Sequence, residues 1–273
     1  MRKSLCVSLL AIVFFISCKD TPKYHFITIK YKQQHVLTWG KGEPVVVFLS
    51  GGGSDLKDFE PVQKSISEIT KTISYDKLGI GKSELTESPR TLENVSDELK
   101  ELLRKEGIAN VPMILVGHSM GGYVARYYLH RYPKNIMGLI LIDPGSEFIN
   151  EEHRKVQTEE EIRMEDSIFS AQIKLIPKGF RMEVDAYPLH DSTLRTIPFK
   201  TDVPITLLES NQVDENDSNQ IKLIEVQKRL YRNFQKQVPQ TKIISTEKSG
   251  HFIQLDEPHL VIDAIKNMIE EVR

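Results

Sequence analysis

A hydroxyl becomes a useful nucleophile only when a base can take its proton and donors can meet the charge that builds up on the group it attacks. Ser119 is placed for that chemistry. It lies in "LVGHSMGG", residues 115–122, with Gly117 two positions before it and Gly121 and Gly122 just after. "MILV" before it reads as a buried strand and "MGGYVARYYLHRY" after it as a helix, so the serine occupies a strand-to-helix turn. So tight a turn strains its central residue and brings the flanking positions against neighbouring main chain, where a β-carbon would clash. The glycines are then a steric requirement. In return the hydroxyl is held clear of its own backbone, with the Met120 amide and the first helical turn aimed at the oxygen of whatever it attacks. A second source of bare amides is the run Gly51, Gly52, Gly53 in "FLSGGGSD". Backbone N–H groups approach an oxyanion closely only where side chains are absent.

The base must be sought among 8 histidines. His25, His35, His130, His153, His190 and His259 have no spacing suited to a metal, and His118, beside the turn, reads as a packing residue. His251 differs: in "SGHFIQLDEPHL" it stands in a short loop entered through Gly250, ahead of a helix start marked by Asp256, Glu257 and Pro258. Nucleophile and base need be adjacent only in space.

These groups are carried by an alternation of elements. Short apolar runs rich in β-branched residues predict strands at 25–31, 35–39, 44–50, 72–76, 111–117, 136–143, 203–210 and 241–246. Amphipathic stretches between them predict helices near 57–69, 92–107, 120–132, 218–237 and 256–272. The first two strands form a hairpin and the rest alternate with helices, which implies an α/β protein with a mostly parallel sheet covered on both faces. Ligands in such sheets sit where strands end and helices begin. About 60 residues separate "LILID" from "PITLL", far more than one ordinary connection, so residues 146–200 are expected to form a largely helical cap on a core of 24–145 and 201–273. Within the cap, Ile162, Ile168, Phe169, Ile173 and Ile176 recur at helical spacing among many acids, and Glu159–Glu161 read as a solvated face. The stretch from Pro177 to Phe199 mixes Pro, Gly and aromatics and is a candidate lining of the substrate pocket.

Four stretches together resemble the α/β-hydrolase superfamily: "GHSMGG", "FLSGGGSD", "YDKLGIGKS" at 75–83 and "SGHFIQLDEPHLVIDAI" at 249–265. The resemblance implies an eight-stranded hydrolase fold with Ser119 as nucleophile on its elbow and His251 as base. It also implies an oxyanion hole from the Gly52 and Met120 amides, with Ser50 where relatives usually carry histidine. Asp76 and Ser83 match loop positions that are structural. A carboxylate must hold the second imidazole nitrogen, and the order serine, acid, histidine leaves two candidates. Asp143 closes "GLILID", a position that a minority of the family uses; Asp214 lies in "ESNQVDEND", near the more usual place but one residue late and without the usual glycine. The expected chemistry is hydrolysis of a carboxylic ester through an acyl-enzyme, with no metal or organic cofactor. Serine at the elbow argues against dehalogenase and epoxide hydrolase chemistry, which needs a carboxylate nucleophile. An aminopeptidase and a ligand-capturing protein of the same fold remain as alternatives.

The N-terminus is a separate object. Arg2 and Lys3 precede the apolar run "LCVSLLAIVFFI", which has the length of a signal-peptide core. "FISC" followed by "KD" resembles a bacterial lipobox, with Phe15 where leucine is usual. The expectation is a signal over 1–17, lipidation of Cys18, a tether over 18–23 and attachment to the extracytoplasmic side of a bacterial membrane. Cys6 and Cys18 are the chain's two cysteines, so the body has none for a disulfide. With 36 basic against 38 acidic residues in mixed order, no basic stripe exists to bind nucleic acid.

Overall fold

The computed structural model describes residues 20–273; the expected signal segment and Cys18 lie outside the described residues. The strands are β1 (Lys23–Ile29), β2 (Lys32–Trp39), β3 (Val45–Leu49), β4 (Thr72–Tyr75), β5 (Met113–His118), β6 (Ile136–Ile142), β7 (Ile205–Ser210) and β8 (Thr241–Thr246). They form one sheet in the order β1-β2-β4-β3-β5-β6-β7-β8. The β1–β2 and β2–β4 pairs are antiparallel and the remainder parallel.

The helices are α1 (Glu60–Ile66), α2 (Leu92–Lys105), α3 (Met120–Arg131), α4 (Ile149–Val156), α5 (Glu159–Gln172), α6 (Lys178–Thr196), α7 (Ser218–Gln237), the single turn α8 (Ile253–Asp256) and α9 (Pro258–Val272). Strand side chains alternate between faces, so the continuous run of β3 feeds two cores. Val45, Val47 and Leu49 pack with residues of α2 and α3, whereas Val46 and Phe48 pack with α1 and α9. That double burial explains why the strands read as unbroken apolar runs.

The chain goes from β3 to β4 on one side and then returns to place β5 on the other. The crevice between β3 and β5 is therefore the point where the strand order reverses, the usual ligand site of an open parallel sheet. Leu49 pairs with Gly117 and His118 with Ile142, so the loops after β3, β5 and β6 leave the sheet side by side. The glycine run, Ser119 and Asp143 are neighbours for this reason.

Between β6 and β7 the chain forms α4, α5 and α6. A capping box at Thr158 and Glu161 starts α5. The stretch that reads as a mixture of Pro, Gly and aromatics is one 19-residue helix, α6, with Pro188 inside it. Its buried residues Gly179, Glu183, Ala186, His190 and Leu194 recur at helical spacing, so docking of this face outweighs the hydrogen bond that proline forfeits. Among the described residues no helix is long and apolar enough to cross a membrane.

Candidate active site

Ser119 adopts φ 51° and ψ −118°, a strained region for a residue with a side chain. Its surroundings hold it there. Its N–H donates to the Ile142 carbonyl at 3.1 Å, and its carbonyl accepts from Gly122 at 2.9 Å and Gly145 at 3.2 Å. A β-carbon on Gly121 would lie 2.0 Å from the Leu49 carbonyl oxygen, and one on Gly117 would lie 2.5 Å from the carbonyl of Gly121. Both glycines are needed for the backbone to make this turn.

Asp143 directly follows β6, with φ 39° and a side chain only 6% exposed. One carboxylate oxygen, Oδ2, lies 2.6 Å from His251 Nδ1. The other accepts from Gln227 Nε2 at 2.6 Å and from the Ser210 amide at 3.2 Å. Tyr231 donates to the Pro144 carbonyl at 2.8 Å with its hydroxyl 3.4 Å from that same oxygen. Burial, then the Asp143 charge, keeps the Tyr231 phenol well above its ordinary pKa, so it stays a neutral donor.

A carboxylate can only accept here, so Nδ1 of His251 carries the hydrogen and Nε2 is left with its lone pair, the tautomer a general base requires. The imidazole is 47% exposed and open to a ligand. His118 steadies it: the rings lie 4.7 Å apart and His118 Nε2 donates to the His251 carbonyl at 2.9 Å. Burial first, and the nearby His251 second, push the His118 pKa down to about 3, so it is neutral near pH 7.

Among the described residues no hydrogen bond joins Ser119 to His251; the link between them is His118, which precedes Ser119 in the chain and packs on His251. The glycine run closes the site from the other side. A β-carbon on Gly51 would lie 3.3 Å from Ser119 Cβ, and one on Gly52 would lie 2.4 Å from the Tyr187 hydroxyl of α6. The amides of Gly52 and Met120 donate to no protein acceptor among the described residues. Two unpaired donors thus flank a strained serine, beside a histidine held by a buried aspartate.

Residues 44–171 match a family model described as alpha/beta hydrolase fold. An uncharacterized protein of Bacillus subtilis, YbdG, is 29% identical over 160 residues, which are 52% of this chain and 49% of that protein. The chain thus spans about half the length of that relative. Among solved structures, the epoxide hydrolase CorEH aligns with TM-score 0.66 at 17% identity, covering 93% of this chain and 100% of that one. An esterase from Thermogutta terrifontis aligns with TM-score 0.65 at 21% identity, covering 92% and 99%. The chain has the alpha/beta-hydrolase fold.

Within this hydrolase fold the structure brings Ser119, His251, Asp143, Gly52 and Met120 to one crevice. Asp214 is elsewhere: it is exposed, its carboxylate accepts from Asn216, and its carbonyl accepts from Asp217, so it shapes its own turn ahead of α7. Asp76 accepts from Leu56, Lys82 and His35, and Ser83 donates to the Asp76 carbonyl, so both build a loop. Ser50 donates to the Asp55 carbonyl at 3.0 Å. Sequence reasoning does not single out Gln227 or Tyr231, and it reaches Tyr187 only as one aromatic of the stretch from Pro177 to Phe199 offered as pocket lining. Only α7 and α6 docking on the core brings them here, and nothing in their local patterns marks it.

No group of three or more His, Cys, Asp or Glu side chains is arranged for a metal ion among the described residues. A cavity of about 140 Å³ lies against Asp143 and His251, bordered by Ser146, Ile149 and Gln227. A larger one of about 1070 Å³ lies among the helices between β6 and β7 and α7, with Met164, Ile168, Phe169 and Leu223 in its wall; Tyr187 borders both it and the glycine run.

Proposed function

We propose that this chain is a serine hydrolase that cleaves carboxylic esters. Ser119 Oγ attacks the ester carbonyl carbon as His251 Nε2 takes its proton, and Asp143 stabilises the imidazolium that forms. The Gly52 and Met120 amides receive the oxyanion. Its collapse breaks the ester bond, and His251 returns the proton to the leaving alcohol. Water, deprotonated by His251, then attacks the acyl-serine and releases the acid.

The observation that carries the reading is the 2.6 Å contact between Asp143 and the His251 Nδ1–H. It fixes the tautomer a base needs, close to a serine held in a strained backbone conformation by its turn. The orienting acid is accordingly Asp143 and not Asp214. Esters suit the site because an alkoxide leaves more readily than an amide nitrogen. The helices of residues 146–200 act as the lid that selects the acyl group. Export and lipid attachment at Cys18 belong to the same reading and rest on the sequence alone; loss of palmitate labelling in Cys18→Ala is the expected result.

The test is labelling by a fluorophosphonate probe. Wild type should be labelled and Ser119→Ala should not, and p-nitrophenyl esters of increasing chain length should show a rate maximum set by the lid cavity. A second reading, a binding protein of the same fold with little turnover, draws on the missing Ser119–His251 hydrogen bond. Such bonds often form only once substrate is present. A wild type that resists the probe and hydrolyses none of the esters would favour this second reading.

A further inference from the structure

Lys77 and Glu183 form a charged pair in the core, 3% and 0% exposed at their side chains, and the reaction above uses neither directly. Burying two charges costs several kcal/mol per ion unless good hydrogen bonds compensate, so the destination of those bonds is informative. Lys77 Nζ donates to the Gly51 carbonyl at 2.7 Å and to the Ser50 carbonyl at 3.2 Å. Its distance to Glu183 Oε1 is longer, 3.5 Å, and that oxygen has no hydrogen-bond partner. The ammonium is therefore committed to the glycine run more than to the carboxylate. The other oxygen of Glu183 accepts from the Gly53 amide at 2.8 Å.

A peptide unit is planar and trans, so its C=O and N–H point in opposite directions. Holding the Gly51 carbonyl therefore fixes the direction of the Gly52 N–H. A cation on that carbonyl also polarises the peptide and strengthens its N–H as a donor. We propose that Lys77 is a positioning residue for catalysis: by clamping the Ser50 and Gly51 carbonyls, with Glu183 of the lid helix holding both Lys77 and Gly53, it aims the Gly52 amide at the oxyanion.

The placement of α6 supports the clamp. A β-carbon on Gly179 would lie 1.9 Å from the carbonyl oxygen of Gly79, so the start of α6 sits directly on the 76–83 loop that carries Lys77. Phe180 covers Gly53 from the same helix turn. Docking of the lid helix and the setting of the oxyanion amide are thus one event. The inference rests on the serine hydrolase reading and extends it to residues that touch no substrate.

The experiment compares wild type with Lys77→Met, Lys77→Arg and Glu183→Gln on p-nitrophenyl butyrate, with active sites counted by fluorophosphonate titration. Lys77→Met should lower kcat by about 10²-fold, with KM within about threefold, because a misaimed donor is lost mainly in the transition state. Affinity for a trifluoromethyl ketone, which forms a tetrahedral oxyanion on serine, should fall in step with kcat/KM. Lys77→Arg should recover part of the loss. Lys77→Met with wild-type kcat, or a loss of kcat with ketone affinity unchanged, overturns the proposal. If Lys77→Met does not fold, Glu183→Gln decides: kcat lowered about tenfold with the same ketone signature supports the clamp, and wild-type behaviour overturns it. A wild type without esterase activity or probe labelling would instead overturn the hydrolase reading beneath it.

Discussion

Replacing Asp143 by asparagine removes one charge and almost no volume. Asparagine also tolerates the positive φ at this position better than most residues. The Oδ1 site receives N–H groups from Gln227 and Ser210, so the oxygen of the new amide must settle there and its NH2 must face His251. Nδ1 would then have to accept, and the imidazole proton would move to Nε2, where it blocks removal of the serine proton. The charge effect adds to this. A carboxylate and an imidazolium with centres about 4 Å apart interact by about 4 kcal/mol at an effective dielectric of about 20. The 47% exposure of the imidazole reduces that to about 3 kcal/mol, or about 10²-fold in rate. Charge and tautomer together give an expected loss of about 10³-fold or more in kcat. KM should change little, because the imidazolium exists only during turnover. The assay is p-nitrophenyl butyrate hydrolysis normalised to folded protein, with Asp214→Asn in parallel and expected within about twofold of wild type. A folded Asp143→Asn enzyme that loses less than tenfold, or an Asp214→Asn enzyme that loses as much, would refute the assignment of the acid.

Gly121→Ala should cost about 3 kcal/mol or more, lowering the Tm by about 6 °C or more in calorimetry, since its β-carbon meets the Leu49 backbone at 2.0 Å and neither strand nor helix can yield. Gln227→Leu should reduce kcat/KM by about tenfold and lower the Tm by about 3 °C or more, because Asp143 loses one charge-assisted hydrogen bond and keeps the Ser210 amide. The depressed pKa of His118 makes stability depend on pH with a definite sign. The unfolded chain takes a proton below the ordinary value of 6.5 and the folded protein only near about 3. Wild type is thus fully stabilised above 6.5 and loses this contribution as pH falls from there toward 3. Urea midpoints at pH 7.5 and 4.5 should therefore differ more for wild type than for His118→Gln; equal differences would show that His118 is not the group responsible.

Strand and helix placement was legible because it rests on local rules. The two-sided burial of a parallel sheet makes runs such as "VVVFL" continuous, and the segment 218–237 read as a helix is α7. Departures occur where local chemistry and packing disagree. The helix expected at 256–272 is α9 preceded by the separate turn α8, because Pro258 lacks the N–H to continue the same helix. The stretch from Pro177 to Phe199, expected only to belong to a largely helical cap and to line the pocket, is mostly the single helix α6, whose docked face keeps it helical through Pro188.

The elbow around Ser119 is determined by sequence alone, since the steric demand of a tight strand-to-helix turn acts between residues a few positions apart. So is the candidacy of His251, whose loop is bracketed by Gly250 and a helix start. Which of Asp143 and Asp214 meets His251 is visible only in the tertiary structure. Both are acids near strand ends, and what separates them is which carboxylate the loop after β8 lands on. The same holds for Lys77 and Glu183, which stand 106 positions apart in the chain and meet only because α6 lies across the 76–83 loop. Contacts of that kind depend on how elements dock, and docking is a sum over the whole core that no short stretch of sequence contains.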